Sequence, residues 1–282
     1  MIIIDYSGVA ISSVVGSMFS ENAAPLSVGL ARHTILSSIA RYNMKFRDNY
    51  GKIFIACDNK HYWRKDVFPY YKCKRKEQRE DDHVDWNIVY EYVTMVKEEL
   101  DQWMPYPVLE VPSCEADDII FVLAPLVSKT EKVMIISRDH DLQQLQVYPG
   151  VEQYNPVEDR MEVCDDPIRF LCDHIVGGDS GDSVPNIFSP ENSYAIKQRQ
   201  KPATGKRKDA IWNDGKGINI PNELIARFHM NEKLVSHYFV PGDLKLKIIA
   251  VYEEKRIKNR DIFKYFQKFR LASLTQSIQE FI

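Results

Sequence analysis

The stretch Val133-Met134-Ile135-Ile136-Ser137-Arg138-Asp139-His140-Asp141 runs from a short apolar segment straight into two carboxylates. Its first part, Val133–Ser137, has the length and composition of a strand buried on both faces, as in parallel sheets. An extended backbone places Asp139 and Asp141, two residues apart, on one side. The same pairing of apolar run and acid recurs upstream. Asp5 follows Ile2–Ile4, Asp58 follows Ile53–Cys57, and Glu115-Ala116-Asp117-Asp118 follows Val108–Val111 after a three-residue turn and opens a helix. Between these runs the apolar period lengthens. Val28–Phe46 sets Leu30, Ile35, Leu36 and Ile39 on one helical face, and Trp86–Met104 does so with Ile88, Val89, Val93, Val96 and Leu100. Strands alternating with helices predict an α/β fold with three layers around a mostly parallel sheet.

In such sheets ligands bind beyond the carboxyl ends of the strands, where these acids fall. A lone Asp after a strand is usually a turn residue or helix cap. Four acidic groups at four strand ends are not explained that way, because carboxylates so close repel and take up protons unless cations join them. Gly177-Gly178-Asp179-Ser180-Gly181-Asp182 adds a further pair, spaced to meet on a helical turn. The candidate metal ligands are Asp5, Asp58, Glu115, Asp117, Asp118, Asp139, Asp141, Asp179 and Asp182. That set suits two hard divalent ions with retained waters, with Mg²⁺ the usual choice for phosphate chemistry and Mn²⁺ able to substitute. His61, His83 and His140 are set aside, imidazole being a poor Mg²⁺ ligand. No nucleophile stands out: Cys114 abuts the acids, which raise its pKa.

The 282 residues, 44% hydrophobic and 27% charged, fit one large domain or two unequal ones. No apolar run approaches the ~18 residues of a membrane span, and Ile2–Ile4 meets Asp5 too soon for a signal peptide. Five cysteines without a CxxC pair argue against a disulfide framework or structural zinc and for an intracellular chain. Past about residue 166 the strand pattern gives way to short helices: Pro167–Val176, Glu223–Phe228, Glu232–Phe239 and Asp261–Leu271. Gln198–Lys208 reads as a mobile basic loop. The expected division is an α/β core at 1–165 and a helical region at 166–282.

A net charge of -3 hides basic blocks: eight Lys/Arg against three acids from Lys60 to Glu80, six against one from Glu191 to Lys208, and nine against three from Lys245 to Arg270. Such blocks beside an acidic site predict contact with a polyanion. Lys72 and Arg75, on one face if their segment is helical, are candidates to hold a phosphate in the transition state. Tyr62, Trp63, Tyr70 and Tyr71, interleaved with bases, suit stacking of single-stranded nucleotides.

Pro69-Tyr70-Tyr71-Lys72-Cys73-Lys74-Arg75, Glu115-Ala116-Asp117-Asp118, Asp139-His140-Asp141 and Gly178-Asp179-Ser180-Gly181-Asp182 resemble, in this order along the chain, motifs of the flap endonuclease/5′-3′ exonuclease family. Asp58-Asn59, Tyr62-Trp63-Arg64 and the tail Tyr265–Ile278 are similar to its T-even bacteriophage branch. The resemblance implies a PIN-like core, a helical arch over the site at about 60–85, and a helix–turn–helix-like module on duplex DNA. It implies a monomeric 5′-3′ nuclease with ribonuclease H activity. Such an enzyme cuts RNA primers and 5′ DNA flaps at replication forks by two-metal attack of a water, leaving 5′-phosphates. Its substrates would be DNA and RNA–DNA hybrids with 5′ ends or flaps, its setting the cytoplasm of a bacterial host, and a single-stranded-DNA-binding protein a candidate partner. By motif position Asp5, Asp58, Glu115, Asp117 and Asp139 belong to the more reactive metal site; Asp141, Asp179 and Asp182 belong to the second, with Asp118 shared. Lys72, Arg75 and Asp139 become the catalytic candidates, and Arg64, Tyr71, Lys72, Lys74 and Arg75 nucleic-acid contacts. After Asp182 the family's glycine-rich turn is missing, and Lys197, Arg199, Lys206 and Arg207 are expected to supply backbone contacts instead. Two other readings compete: a PIN-type single-strand ribonuclease, which needs no arch or basic tail, and a non-catalytic DNA-junction binder, which has no use for the acids.

Overall fold

A computed structural model describes residues 1–19, 25–75, 84–213, 217–256 and 261–281. Strands β1 (Ile2–Asp5), β2 (Ile53–Cys57), β3 (Val108–Glu110), β4 (Val133–Ile136), β5 (Val151–Asn155) and β6 (Arg160–Glu162) form one sheet in the order β3-β2-β1-β4-β5-β6. All pairings are parallel except β5 with β6. β1, β2 and β4 are buried along their whole length, because helices cover both faces. Along β1, Ile2 and Ile4 face one apolar cluster while Ile3 faces another.

The first cluster joins the sheet to α1 (Tyr6–Met18), α2 (Val28–Tyr50) and α4 (Trp86–Trp103); α3 is the single turn Arg64–Val67. The second joins it to α5 (Ala116–Val127) and the 3₁₀ helix His140–Val147. Polar caps fix where helices begin. Ser27 accepts from Leu30 N–H, Asp85 from Asn87 and Ile88, and Asp166 from Arg169, with Pro167 opening α6 (Pro167–Gly177). The helical remainder comprises α7 (Gly205–Trp212), α8 (Ile225–Val235), α9 (Gly242–Lys255), α10 (Ile262–Lys268) and α11 (Ala272–Gln276). α6, α7 and α8 enclose a third cluster with Phe68 and Tyr71. Val240, Leu244 and Ile248 return to the second cluster, and Tyr265, Phe266 and Phe281 to the first.

The α/β class and the mostly parallel sheet match the sequence reading; several boundaries do not. The expected basic loop at 198–208 contains the start of helix α7. The helices expected at 223–228 and 232–239 are one continuous helix, α8, followed by a short 3₁₀ turn. Strands β5 and β6 and helices α1 and α9 were not anticipated. Of the expected arch, Lys76, Arg79 and His83 lie outside the described residues; Pro69–Lys74 forms turns, and Lys72 has a left-handed φ of 57°. Lys72 and Arg75 therefore share no helical face.

With β1 flanked by β2 and β4, the chain reverses its direction of travel across the sheet between β1 and β4. A crevice opens at the carboxyl end of such a switch point.

Candidate active site

Asp5 is both the last residue of β1 and the cap of α1. Its Oδ1 accepts from Gly8 N–H at 3.2 Å and its Oδ2 from the Ser137 hydroxyl at 2.8 Å. A Cβ at position 8 would lie 2.7 Å from Asp5 Oδ2, so the glycine makes room for the carboxylate. Across the switch point, Asp139 N–H donates to the same Ser137 oxygen at 3.1 Å. Asp139 caps the 3₁₀ helix through Asp141 N–H at 2.9 Å, so the backbone here turns rather than extends. Asp141 is paired with His174, whose Nε2 is 3.0 Å from its Oδ1. At the end of β2, Asp58 accepts from Ala116 N–H at 2.9 Å, clamping the start of α5 to that strand.

Asp179 and Asp182 meet, but on a tight hairpin instead of the expected helical turn. Asp179 and Val184 exchange two backbone hydrogen bonds, and Asp179 Oδ1 accepts from Gly181 and Asp182 N–H. Gly178 enters the hairpin at φ 67°, with a would-be Cβ 2.3 Å from Val184 O, so only glycine fits.

Asp5, Asp58, Asp117, Asp139, Asp179 and Asp182 line one cleft of about 480 Å³, together with Lys72, Arg75, Arg138 and His140. Glu115 stands behind Lys72, which bonds its Oε1, while Arg64 and Tyr71 bond its Oε2 at 2.9 and 3.0 Å. Lys72 also lies 3.4 Å from Asp182, and Arg75 donates to Asp182 at 2.9 Å. Both candidate cations thus reach the acids despite the non-helical backbone.

Four expectations need correction. Arg64, only 2% exposed, gives its guanidinium to Glu115, Asp118 and the carbonyl of Leu234, and has no surface left for nucleic acid. Tyr71, 4% exposed, spends its hydroxyl on Glu115 and Asp182; it is a wall of the site, not a stacking platform. Trp63 is likewise buried, its indole donating to Asp118. Asp118 itself is fully buried: Oδ1 faces Trp63 and Arg64, and Oδ2 accepts from Glu115 N–H in a capping box. It orients Arg64 and Glu115 from beneath and does not face the cleft. Lys74, Lys197, Arg199, Lys206 and Arg207 keep water-accessible surface; Lys74 sits 4.0 Å over Tyr194, and Arg207 3.8 Å over Phe188. The sequence reading missed Ser137, Arg138 and His174. His174 had one usable signal: it sits in the last turn of the amphipathic helix that leads into Asp179.

Several of the acids are electrostatically short of cations; Asp141 is not, since against its burial His174 and His140 hold its carboxyl below the usual range. Burial and Asp58 hold the Asp5 carboxyl up at about 6, and burial with Asp141 pushes Asp139 to about 8. Burial and Asp139 raise Asp117 well above the carboxylate range, and burial and Asp141 raise Asp179. Burial also opposes the charge on Lys72, but Asp182 and Glu115 outweigh it and keep the ammonium protonated. Oxygen donors, crowding and unmet negative charge together fit hard divalent cations. Cys114, pushed up to about 12 by burial and then Asp118, is no nucleophile at neutral pH.

A carboxyl whose folded pKa is raised binds its proton more tightly in the folded chain, so stability is lost as pH rises through that range. In EDTA the melting temperature is expected to fall from pH 5 to pH 9, by about 5 °C or more. Mg²⁺ should flatten that fall; melts that stay level or rise with pH in EDTA would contradict the crowding.

The switch-point cleft, the PIN-like sheet and the convergent carboxylates define the class of α/β domains with an acidic cleft suited to divalent cations. Comparison with known proteins specifies it further. The family described as 5′-3′ exonuclease, N-terminal resolvase-like domain, matches residues 19–168, and that described as T4 RNase H, C terminal, matches residues 166–281. The chain is 31% identical over 292 residues to the ribonuclease H of Enterobacteria phage T4, covering 99% of this chain and 95% of that one. A 5′-3′ exonuclease of Aquifex aeolicus (strain VF5) is 30% identical over 183 residues, 62% of this chain and 61% of the relative. In fold, the chain resembles the bacteriophage T5 flap endonuclease solved with DNA and metal ions. The TM-score is 0.63 at 17% identity, over 89% of this chain and 98% of that one. The T5 5′-exonuclease with zinc bound gives 0.56 at 18% identity, over 100% and 98%. The chain belongs to the 5′-3′ exonuclease family.

Proposed function

We propose that the chain is a divalent-metal-dependent 5′-3′ nuclease that hydrolyses phosphodiesters of RNA primers and 5′ DNA flaps at replication forks, leaving 5′-phosphate ends. Family membership supports the nuclease, and the T5 relative's complex with DNA and metal ions supports a DNA substrate and a metal requirement. One observation carries the reading for this chain: six aspartates from five separate segments line a single cleft whose walls also carry Lys72, Arg75 and Arg138. A junction binder gains nothing from that convergence.

Two divalent ions, Mg²⁺ or Mn²⁺, would supply acidification of a water and stabilisation of the entering and leaving oxygens. Asp5, Asp58, Asp117 and Asp139, with Glu115 behind them, would hold one ion; Asp141, Asp179 and Asp182 would hold the other. Ser137 keeps Asp5 and Asp139 in register by bonding both. Lys72 and Arg75 flank Asp182 and orient the scissile phosphate, adding positive charge where negative charge builds up. Tyr71 and Arg64 fix Glu115 so that it does not swing into the phosphate's place. Beyond the cleft, the helical region from residue 166 presents Lys197, Arg199, Lys206 and Arg207 as contacts for the duplex backbone. Likeness to a phage protein over nearly the whole chain supports action in bacterial host cytoplasm, and among the described residues no helix is long and apolar enough to cross a membrane.

A 5′-labelled DNA flap and a 5′-labelled RNA–DNA hybrid, each incubated with Mg²⁺ or with EDTA, test the proposal. Short 5′-phosphorylated products from both substrates, in Mg²⁺ only, are the expected result. Tight binding without cutting would favour the junction binder, and cutting of free single-stranded RNA alone would favour the PIN-type ribonuclease.

A further inference from the structure

The basic block from Glu191 to Lys208 contains one acid, Glu191, against six Lys/Arg. That acid faces Arg227 of α8: Glu191 Oε2 lies 3.7 Å from Nη1, the two side chains being 58% and 18% exposed. Among the described residues this distant ion pair is the only one Arg227 makes. Its Nε, Nη1 and Nη2 atoms are all buried, and none of them has a hydrogen-bond partner. Burial pulls the guanidinium pKa down, and Glu191 restores it only in part. The other buried arginines are fully met. Arg32 binds Glu99 through two bonds of 2.7 Å, and Arg64 binds Glu115, Asp118 and the Leu234 carbonyl. A guanidinium offers five donors in a planar fork that fits carboxylate or phosphate oxygens. Leaving that fork unfilled in the interior is costly, and chains keep such costs where a ligand relieves them.

The surroundings of Arg227 indicate the ligand. One turn further along the same helical face, fully buried Asn231 donates to the carbonyls of Ile175 and Pro185 at 3.0 and 2.8 Å. Ile175 belongs to α6, and Pro185 directly follows the hairpin of Asp179 and Asp182. α8 is thereby tied to the acidic cleft. On its other side, Glu191 belongs to the same stretch of turns as Lys197, in the segment that also carries Arg199. Arg227 thus stands between the basic block and the cleft.

We propose that Arg227 binds one backbone phosphate of the duplex, and that Glu191 occupies this place in the free chain as a stand-in for that phosphate. The inference rests on the duplex-binding role proposed for the region from residue 166; it adds a receptor and an internal competitor to that surface. An entering phosphate supplies the oxygens the fork lacks, in charge-assisted hydrogen bonds. Glu191, already more than half exposed, returns to water. Because Asn231 ties α8 to the Asp179 hairpin, a phosphate seated on Arg227 fixes the duplex in register with the cleft.

A double-mutant cycle on binding of a labelled 5′-flap duplex, read by anisotropy in EDTA, tests this. Arg227→Gln should weaken binding about tenfold and lower the slope of log K against log salt by about 0.9, the value of one phosphate. Glu191→Gln should tighten binding about threefold or more in the wild-type background and have little effect when Arg227 is already Gln. Equal gains in both backgrounds would make Glu191 a general like charge and overturn the stand-in. Unchanged affinity and salt slope in Arg227→Gln would overturn the site. Arg227→Met, which removes the buried charge and keeps an unbranched side chain, should melt at or above the wild-type temperature without DNA. A Met variant that melts earlier would show that the guanidinium has its partners already, and the proposal falls. Flap binding and cleavage in Mg²⁺ by the wild-type chain are scored separately. Cutting and duplex binding that do not depend on Arg227 sink this inference alone, whereas a wild-type chain that neither binds nor cuts sinks the proposed function as well.

Discussion

Asp139→Asn is expected to slow single-turnover flap cleavage by about 10³-fold while the metal-free chain stays folded. Asparagine keeps the side-chain oxygen that accepts from Asp141 N–H, so the start of the 3₁₀ helix survives. What it removes is a negative charge beside Asp5, Asp117 and Asp141. Without an ion, burial and Asp141 already favour the protonated form of this carboxyl, pushing its pKa to about 8. The neutral amide therefore resembles the state the apo protein prefers, and its melting temperature in EDTA at pH 7 should equal or exceed that of the wild type. With Mg²⁺ the order should reverse, because the variant has lost a ligand. Several kcal/mol of transition-state charge stabilisation depend on a bound ion, and about 4 kcal/mol corresponds to the 10³-fold loss. A variant that cuts within tenfold of the wild type removes Asp139 from the metal site.

Lys72→Ala is expected to lower the cleavage rate by about 10²–10³-fold while weakening substrate binding less than about tenfold. The Lys72 side chain is 8% exposed and sits between Glu115 and Asp182. A surface lysine binding phosphate non-specifically would change affinity and rate together. A cation held at the floor of the cleft meets only the phosphate that enters it, and its effect grows as charge develops there. Substrate affinity read by anisotropy in EDTA, set against single-turnover rates in Mg²⁺, separates the two. Equal losses in both would reduce Lys72 to an ordinary phosphate contact. Alanine also leaves Glu115 and Asp182 with less compensation, so the apo variant should melt earlier and recover in Mg²⁺.

The acids were legible because strand ends are local features. An apolar run of four or five residues followed by Asp gives both the strand and its exit, and the parallel sheet then brings Asp5, Asp58 and Asp139 together. The fate of the basic segment after β2 was not local. Arg64 stands in a run of charged residues and reads as surface, yet Glu115 and Asp118, more than fifty residues away, draw its guanidinium inside. Burial opposes the charge, but Asp118, Tyr71 and Glu115 outweigh it. Tyr71 looked like a stacking ring for the same reason. β5 was hidden by its polar residues: Gln153 is buried because its amide donates to the carbonyls of Ser137 and Asp139, a role that exists only once β4 lies alongside. α7 was hidden by composition, since Gly205 and three consecutive bases read as loop, while Ile211 anchors the helix in the third cluster. The Asp179–Asp182 pair was placed correctly in space on a wrong local geometry, because three-residue spacing fits a hairpin turn as well as a helix.

The account stands on the claim that these carboxylates are gathered to hold divalent ions, and counting bound ions tests it most directly. Free Mn²⁺ measured by electron paramagnetic resonance during titration of the chain at pH 7.5 gives that count. Two bound ions per chain, with the tighter one lost in Asp139→Asn, is the predicted result. No binding at millimolar Mn²⁺, or binding unchanged in Asp139→Asn, would contradict it.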